Sequence, residues 1–174
     1  IMALTRIGLN QSINLASNVT GTLPAANGGT GATSFTKGKV LQVVSSSSTT
    51  ETFTSSGTYS DIASASITPS STSNKILVIG SVNSFRRDST SGILTAIVSD
   101  KSSFNKKLVH AALYTGNSST NRQGGVTGTF LHSPSTTSAI TYYIQFASNN
   151  SGQSVGIGDN NDSNSTITVM EIEA

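Results

Sequence analysis

The sequence predicts an all-β protein in which an extended N-terminal arm precedes an antiparallel, jelly-roll-like β-sandwich. Three observations lead to this prediction. The 174-residue chain contains 32 Ser and 24 Thr, and only 10% of its residues are charged, whereas helical proteins need Glu, Lys, Leu and Ala at a helical period. Short Val, Ile and Leu runs recur along residues 37–174 between Gly-, Asn- and Ser-rich turns. Apolar residues fall on odd positions over residues 7–23, which is the period of an extended chain.

The composition also excludes several classes of protein. Cysteine is absent, so disulfides, thiolate metal sites and a cysteine nucleophile are excluded. No apolar run exceeds four residues, so we expect no membrane insertion, and we expect no secretory signal because no basic stretch precedes a long apolar one. The formal net charge of +2 provides no dense positive field, so we expect no nucleic-acid partner.

Residues 1–36 are predicted to form the arm. Its apolar row is one-sided, so the arm cannot bury that face against itself and needs a partner surface, either another copy of the chain or a larger particle. The row that we assign to attachment and trimerisation consists of Ile7, Leu9, Ile13, Leu15, Val19 and Leu23. Gly28, Gly29 and Gly31 indicate a hinge within residues 24–36, with a plain flexible linker as the alternative.

Residues 37–174 are predicted to form one domain of nine or ten short strands. We place these strands at residues 39–44, 52–58, 62–68, 75–85, 93–98, 108–115, 126–132, 140–146, 155–158 and 165–173. The run at 76–79 is apolar on both faces, which predicts a central and fully buried strand. No insert of helical length separates the strands, so the expected architecture is an antiparallel sandwich or jelly roll.

A resemblance to a known family rests on residues 19–33, which read VTGTLPAANGGTGAT. This segment resembles the pattern TGTLP-x-ANGGTGAT of bacteriophage tail-fibre and related virion proteins. Residues 67–78 and 165–172 also resemble strands of the β domains at phage fibre tips. The resemblance implies a non-enzymatic homotrimer of the virion, whose arm binds other virion proteins and whose sandwich is displayed outward. Since no long shaft precedes the segment, a short tail fibre or a capsid-mounted fibre is expected.

We predict no catalytic residue, metal or cofactor. Of the two histidines, His132 ends a strand, and a hydrogen-bonded histidine is favoured there over a metal site on a trimer axis. Residues 159–164 begin like a calcium loop but lack its later Gly and Glu, so an Asx-rich turn is favoured. No GxSxG elbow and no clear carboxylate pair occurs.

Binding of a host-surface polysaccharide is the chemistry that we predict instead. The candidate residues, placed in three loops and on one neighbouring strand, are Arg86, Arg87, Lys101, Lys106, Lys107, Arg122 and Tyr114. If the loops share one end of the sandwich, their cations form a basic rim for phosphate or acidic sugar, and tyrosine adds a stacking surface. The alternative is that these charges only keep the protein soluble. Two other functions stay open, a capsid decoration protein and a monomeric carbohydrate-binding module.

Overall fold

A computed structural model describes residues 39–87, 92–112, 121–122, 124–150, 152–158 and 164–174. The predicted arm and hinge lie outside these residues. Within the described ranges the secondary structure consists of strands without a helix, and every strand pairing is antiparallel. No helix with the length and apolarity needed to cross a membrane is found there. The predicted all-β, antiparallel class is therefore confirmed.

The strands differ in length, and four short ones lie at intervals among eight long ones. They are β1 (Val40–Ser48), β2 (Thr52–Thr54), β3 (Ser60–Ile67), β4 (Lys75–Val82), β5 (Phe85–Arg87), β6 (Ile93–Ser99), β7 (Asn105–Ala112), β8 (Asn121–Arg122), β9 (Val126–His132), β10 (Ile140–Ser148), β11 (Val155–Ile157) and β12 (Ser165–Ile172).

The long strands form two four-stranded sheets that pack face to face. Sheet 1 has the order β1-β12-β4-β9, and sheet 2 has the order β3-β10-β6-β7. Each step between consecutive long strands crosses from one sheet to the other, except the β6–β7 hairpin. This is the connectivity of a jelly roll.

The short strands form a third sheet, here called the cap sheet, with the order β2-β11-β5-β8. Each of its strands interrupts a connection between long strands, namely β1–β3, β4–β6, β7–β9 and β10–β12. All four connections leave the sandwich at the same end, because antiparallel pairing fixes the direction of every long strand. We call this the cap end. The opposite end, where β1 begins at Val40 and β12 ends at Ile172, is called the terminal end.

The core lies between the two larger sheets and follows the period-two alternation of their strands. On β10, Tyr142, Ile144 and Phe146 have no exposed surface, as the alternation at 140–146 predicts. On β12, Ile167 and Val169 fill the same core from the opposite sheet. Alternation therefore identifies the buried face of β4 and β12, whereas β6 is buried on both faces from Leu94 to Ser99.

Several predicted strand boundaries were wrong, first of all in β1. Residues 45–50 were expected to form a polar turn, but residues 45–48 continue β1 in register with β12. The hydroxyl oxygens of Ser45 and Thr168 lie 2.9 Å apart across this pairing. Cross-strand hydroxyl pairs stabilise a sheet without any apolar signal in the sequence, so composition alone predicted a turn here.

The predicted loops were also too long. Arg86 and Arg87 belong to β5 rather than to a turn, Lys106 and Lys107 belong to β7, and Arg122 belongs to β8. The predicted strand at 75–85 is instead divided between β4 and β5. Two residues separate these strands, and Ser84 there has a positive φ of 52°, a backbone conformation that interrupts a strand.

The prediction of a fully buried strand at 76–79 was correct for only one of its faces. These residues lie on β4, which is central in sheet 1 between β12 and β9. Ile76 and Val78 are buried, but Leu77 and Ile79 are only half-buried. The reason is that sheet 2 covers just one side of sheet 1, so alternate residues of β4 face outward.

Candidate functional site

The terminal end contains a buried carboxylate. Glu171 occupies an inward position of β12 and is only 1% exposed. Its Oε1 atom accepts hydrogen bonds from Asn74 Nδ2 at 2.6 Å, Ser70 N at 2.6 Å and Ser70 Oγ at 2.8 Å. Its Oε2 atom accepts one from Gln42 Nε2 at 2.6 Å. Glu171 thereby joins β12 to β1 and to the connection between β3 and β4.

These hydrogen bonds keep Glu171 charged. Burial by itself raises the pKa of the carboxyl group, because the ion loses its hydration. The hydrogen bonds from Asn74, Gln42 and Ser70 more than offset that effect and lower the pKa to about 2. All four hydrogen bonds join β12 to other parts of the same domain, so Glu171 stabilises the terminal end.

His132 belongs to an aromatic cluster at the same end. Its ring stacks on Phe104 with centroids 4.6 Å apart, and its Nδ1 atom is 2.8 Å from the Tyr142 hydroxyl. Burial lowers the pKa of His132, opposed by the charge of Asp100 and assisted by that of Lys106. His132 therefore has a hydrogen-bond partner at the end of its strand, as the sequence predicts. In the described part of the chain, no three His, Cys, Asp or Glu side chains are grouped to hold a metal ion.

A polar network lies on the outer face of sheet 2. Lys101 Nζ is 2.7 Å from Asp61 Oδ2 and 3.9 Å from the centroid of the Tyr143 ring. Gln145 Nε2 donates to Asp61 Oδ1 at 2.7 Å, and Ser99 Oγ donates to Gln145 Oε1 at 2.5 Å. Lys101, a predicted receptor-binding residue, is therefore already paired with a carboxylate and an aromatic ring.

The cap sheet brings two arginines into register. Arg86 of β5 pairs with Arg122 of β8, and on its other side Arg86 pairs with Gly156 of β11. Gly156 in turn pairs with Phe53 of β2, whose ring lies against the glycine so closely that a Cβ there would be 2.5 Å from two ring carbons.

The structure divides the predicted receptor-binding residues between the two ends. Arg86, Arg87 and Arg122, three of the four arginines in the sequence, lie in the cap sheet. Lys101, Lys106 and Lys107 lie on the β6–β7 hairpin at the terminal end. A single rim made from all six cations is therefore not formed, and only the arginines share an end.

The remaining predicted site residues lie outside the described ranges. These are Tyr114, the hinge glycines Gly28, Gly29 and Gly31, and the arm residues Ile7, Leu9, Ile13, Leu15, Val19 and Leu23. Their roles stay predictions.

Sequence reasoning missed an apolar row on the outer face of sheet 1. Val43 of β1 pairs with Met170 of β12, Met170 pairs with Leu77 of β4, and Leu77 pairs with Leu131 of β9. Val43 is 56% exposed and Leu131 is 55% exposed. The signal for this row was present in the run at 76–79, but it was interpreted as a strand buried on both faces.

Comparisons with known proteins find a similarity in structure but not in sequence. No protein-family model matches the sequence, and no curated protein matches it either. A chain in the structure of infectious bursal disease virus Gx strain is similar, with a TM-score of 0.41 and 14% sequence identity. The alignment covers 75% of this chain but only 32% of that one, so this chain spans about a third of the length of that protein. A similarity of this extent carries no conclusion about function.

Proposed function

We propose that this protein is a non-enzymatic structural component of a bacteriophage virion, a short trimeric fibre mounted on the tail or the capsid. One observation of the fold carries the proposal. The two ends of the sandwich differ, because β1 begins at the terminal end and the cap sheet closes the opposite end. Residues 1–36 precede β1, so the cap sheet lies at the end of the sandwich opposite to the one where β1 begins. The resemblance of residues 19–33 to tail-fibre sequences supports the same assignment.

Such a fibre acts by presenting several copies of its binding domain on one particle. Several copies on one particle turn weak individual contacts into tight adhesion, because each further contact forms at a high effective concentration. The proposed partners are other copies of this chain, other virion proteins that bind the arm, and a polysaccharide on the host surface.

The cap sheet is the proposed contact with the host. Guanidinium groups bind carboxylate and phosphate through paired hydrogen bonds, and β5 and β8 together supply Arg86, Arg87 and Arg122. The proposed ligand class is therefore an anionic surface polysaccharide.

Assembly is tested by the solution mass of the full chain, measured by light scattering after size exclusion. The expected result is a trimer that resists detergent and heat. Replacing Ile13 and Leu15 by Asn should weaken the trimer, because both lie in the odd-numbered row. A matched control replaces Ser12 and Ala16, on the even-numbered side of the arm, by Asn. A monomeric full chain at all concentrations would overturn the fibre.

Receptor binding is tested on an array of neutral and anionic polysaccharides. The double variant Arg86→Ser/Arg122→Ser should lose most of its binding to anionic glycans, and salt should weaken binding by the parent protein. The control, Lys106→Ser/Lys107→Ser, removes the same charge from the terminal end and should bind normally. Equal loss in both variants would mean that net charge, and not the cap sheet, drives the interaction.

A capsid decoration protein is the second candidate, and the exposed apolar row near the terminal end favours it. In that case the domain would bind as single copies to a pre-formed shell. Binding of a monomeric full chain to emptied capsids, together with loss of that binding in the arm variant, would favour decoration over the fibre.

A further inference from the structure

The outer face of the cap sheet carries an exposed aromatic ring. Phe53 is the middle residue of β2 and is 39% exposed, whereas Thr52 and Thr54 on either side of it are half-buried. Thr52 pairs with Ile157 of β11, which belongs to the hydrophobic core and is 1% exposed. Because side chains alternate between the two faces of a strand, Phe53 lies on the opposite face, which is directed away from the core.

A glycine allows this ring to lie flat against the sheet. A Cβ atom on Gly156 would be 2.5 Å from both Cδ1 and Cε1 of Phe53, far below the contact distance of about 3.5–4.0 Å between carbon atoms. The backbone does not require glycine here, since φ is positive at Gly152 and Gly158 but not at Gly156. The glycine instead provides space for the ring, which is a usual reason for glycine within a strand. Gly156 is therefore a positioning residue for Phe53.

The same registered row leads from the ring to the arginines. Phe53 pairs with Gly156, Gly156 pairs with Arg86 of β5, and Arg86 pairs with Arg122 of β8. Because β2 and β5 are the two neighbours of β11, the backbones of Phe53 and Arg86 lie about 10 Å apart. That distance is short enough for one acidic sugar to contact both residues.

The two kinds of residue recognise different parts of such a ligand. The C–H face of a pyranose ring is apolar and stacks on an aromatic ring, whereas a guanidinium binds a carboxylate or phosphate. Binding sites generally combine aromatic surface with a few polar groups that fix the orientation of the ligand.

We infer that Phe53, held in place by Gly156, is the stacking platform for a sugar ring whose acidic group binds at Arg86 and Arg122. The inference rests on the proposed contact between the cap sheet and the host. It narrows the ligand class from any anionic polymer to a polysaccharide built from acidic pyranose rings.

Two polymers distinguish a stacking platform from a site that recognises charge alone. Polygalacturonate and polyacrylate both carry a row of carboxylates, but only polygalacturonate contains pyranose rings. Binding of both polymers to the full chain is measured by isothermal titration calorimetry at the same salt concentration. The quantity that tests the platform is the change in each affinity when the ring is removed.

Phe53→Thr removes the ring but keeps a side chain that suits a strand. It should weaken binding to polygalacturonate at least about fivefold and leave binding to polyacrylate unchanged. Phe53→Tyr keeps the ring and should bind like the parent protein. The matched control is Tyr59→Thr, at a position that is also 39% exposed but lies outside the cap sheet, and it should bind both polymers normally.

Gly156→Ala tests the positioning role separately, because it leaves Phe53 in the sequence but places a methyl group where the ring lies. It should produce the same selective loss of polygalacturonate binding. Melting temperatures of all variants are compared, so that a loss of binding is distinguished from a loss of folding.

The platform and the proposed cap-sheet contact fail in different ways. If Phe53→Thr binds polygalacturonate as tightly as the parent protein does, or loses both polymers equally, the platform is overturned. Loss of binding in Arg86→Ser/Arg122→Ser would still support the cap-sheet contact in that case. A parent protein that binds neither polymer, nor any anionic glycan on the array, overturns both.

Discussion

The Oε1 atom of Glu171 lies 2.6 Å from the Nδ2 atom of Asn74, although the two residues are 97 positions apart in the sequence. Both side chains are buried, at 1% and 4% exposure. Asn74 Oδ1 in turn accepts a hydrogen bond from the backbone N–H of Ala174 at 3.3 Å. This pair therefore attaches the end of the chain to the connection that precedes β4, at the same end of the sandwich where β1 begins.

Replacing Glu171 by Gln should destabilise the domain. The variant keeps the volume of the side chain but removes its charge and replaces one of its two acceptor oxygens by an NH₂ group, so at least one of the four donor groups loses its acceptor. The expected loss is about 2–4 kcal/mol in the free energy of unfolding, measured by chemical denaturation. The control is Glu173→Gln, on a side chain that is 38% exposed and 3.8 Å from Lys39, for which we expect less than about 1 kcal/mol. Equal stability of the two variants would contradict the role of Glu171.

The same carboxylate makes stability depend on pH. Its pKa is about 2 in the folded protein and about 4.5 in a free side chain, so the unfolded chain takes up the proton at higher pH than the folded one. The stabilisation is therefore complete above pH 4.5 and is lost as the pH falls toward 2. Melting temperatures of the parent protein and Glu171→Gln should converge over this interval. A constant difference between them from pH 7 to pH 2 would exclude this mechanism.

The hydrogen bond between Tyr142 and His132 gives a third prediction. Tyr142→Phe leaves the buried ring in place but removes the hydroxyl group that lies 2.8 Å from His132 Nδ1. We expect a loss of about 1 kcal/mol, read from urea denaturation. Tyr143→Phe, which alters the half-buried tyrosine next in sequence on the outer face, should change stability by less than about 0.5 kcal/mol. If the two variants were equally stable, the hydroxyl contact would contribute nothing.

Gly80 should tolerate no side chain. It lies on β4 with its inward side against sheet 2, and a methyl group there would overlap the Val98 side chain and come within 3.7 Å of Ile144. Gly80→Ala should therefore cost about 1–3 kcal/mol by overpacking the core. Gly124→Ala is the control, because nothing lies within 4 Å of a Cβ at that position. Thermal unfolding followed by circular dichroism compares the two, and equal melting temperatures would show that the two sheets can separate to accept the methyl group.

The sequence by itself determined the fold class and the inward face of the strongest strands. The alternation of Tyr142, Ile144 and Phe146 predicted which side of β10 is buried, because period two leaves one apolar face that must be covered. The hydroxyl-rich strand ends could not be predicted in the same way. Residues 45–48 present serine on both faces, so they give no periodic contrast from which to recognise a strand.

Only the tertiary structure decided which residues meet. Arg86 and Arg122 share the cap sheet, whereas Lys101 lies at the opposite end of the sandwich. Glu171 is buried. Both results depend on the order in which distant strands pair. Leu77 faces outward for the same reason, since its burial depends on whether a second layer covers sheet 1. A local pattern specifies the two faces of a strand, but the pairing of the whole chain decides what each face contacts.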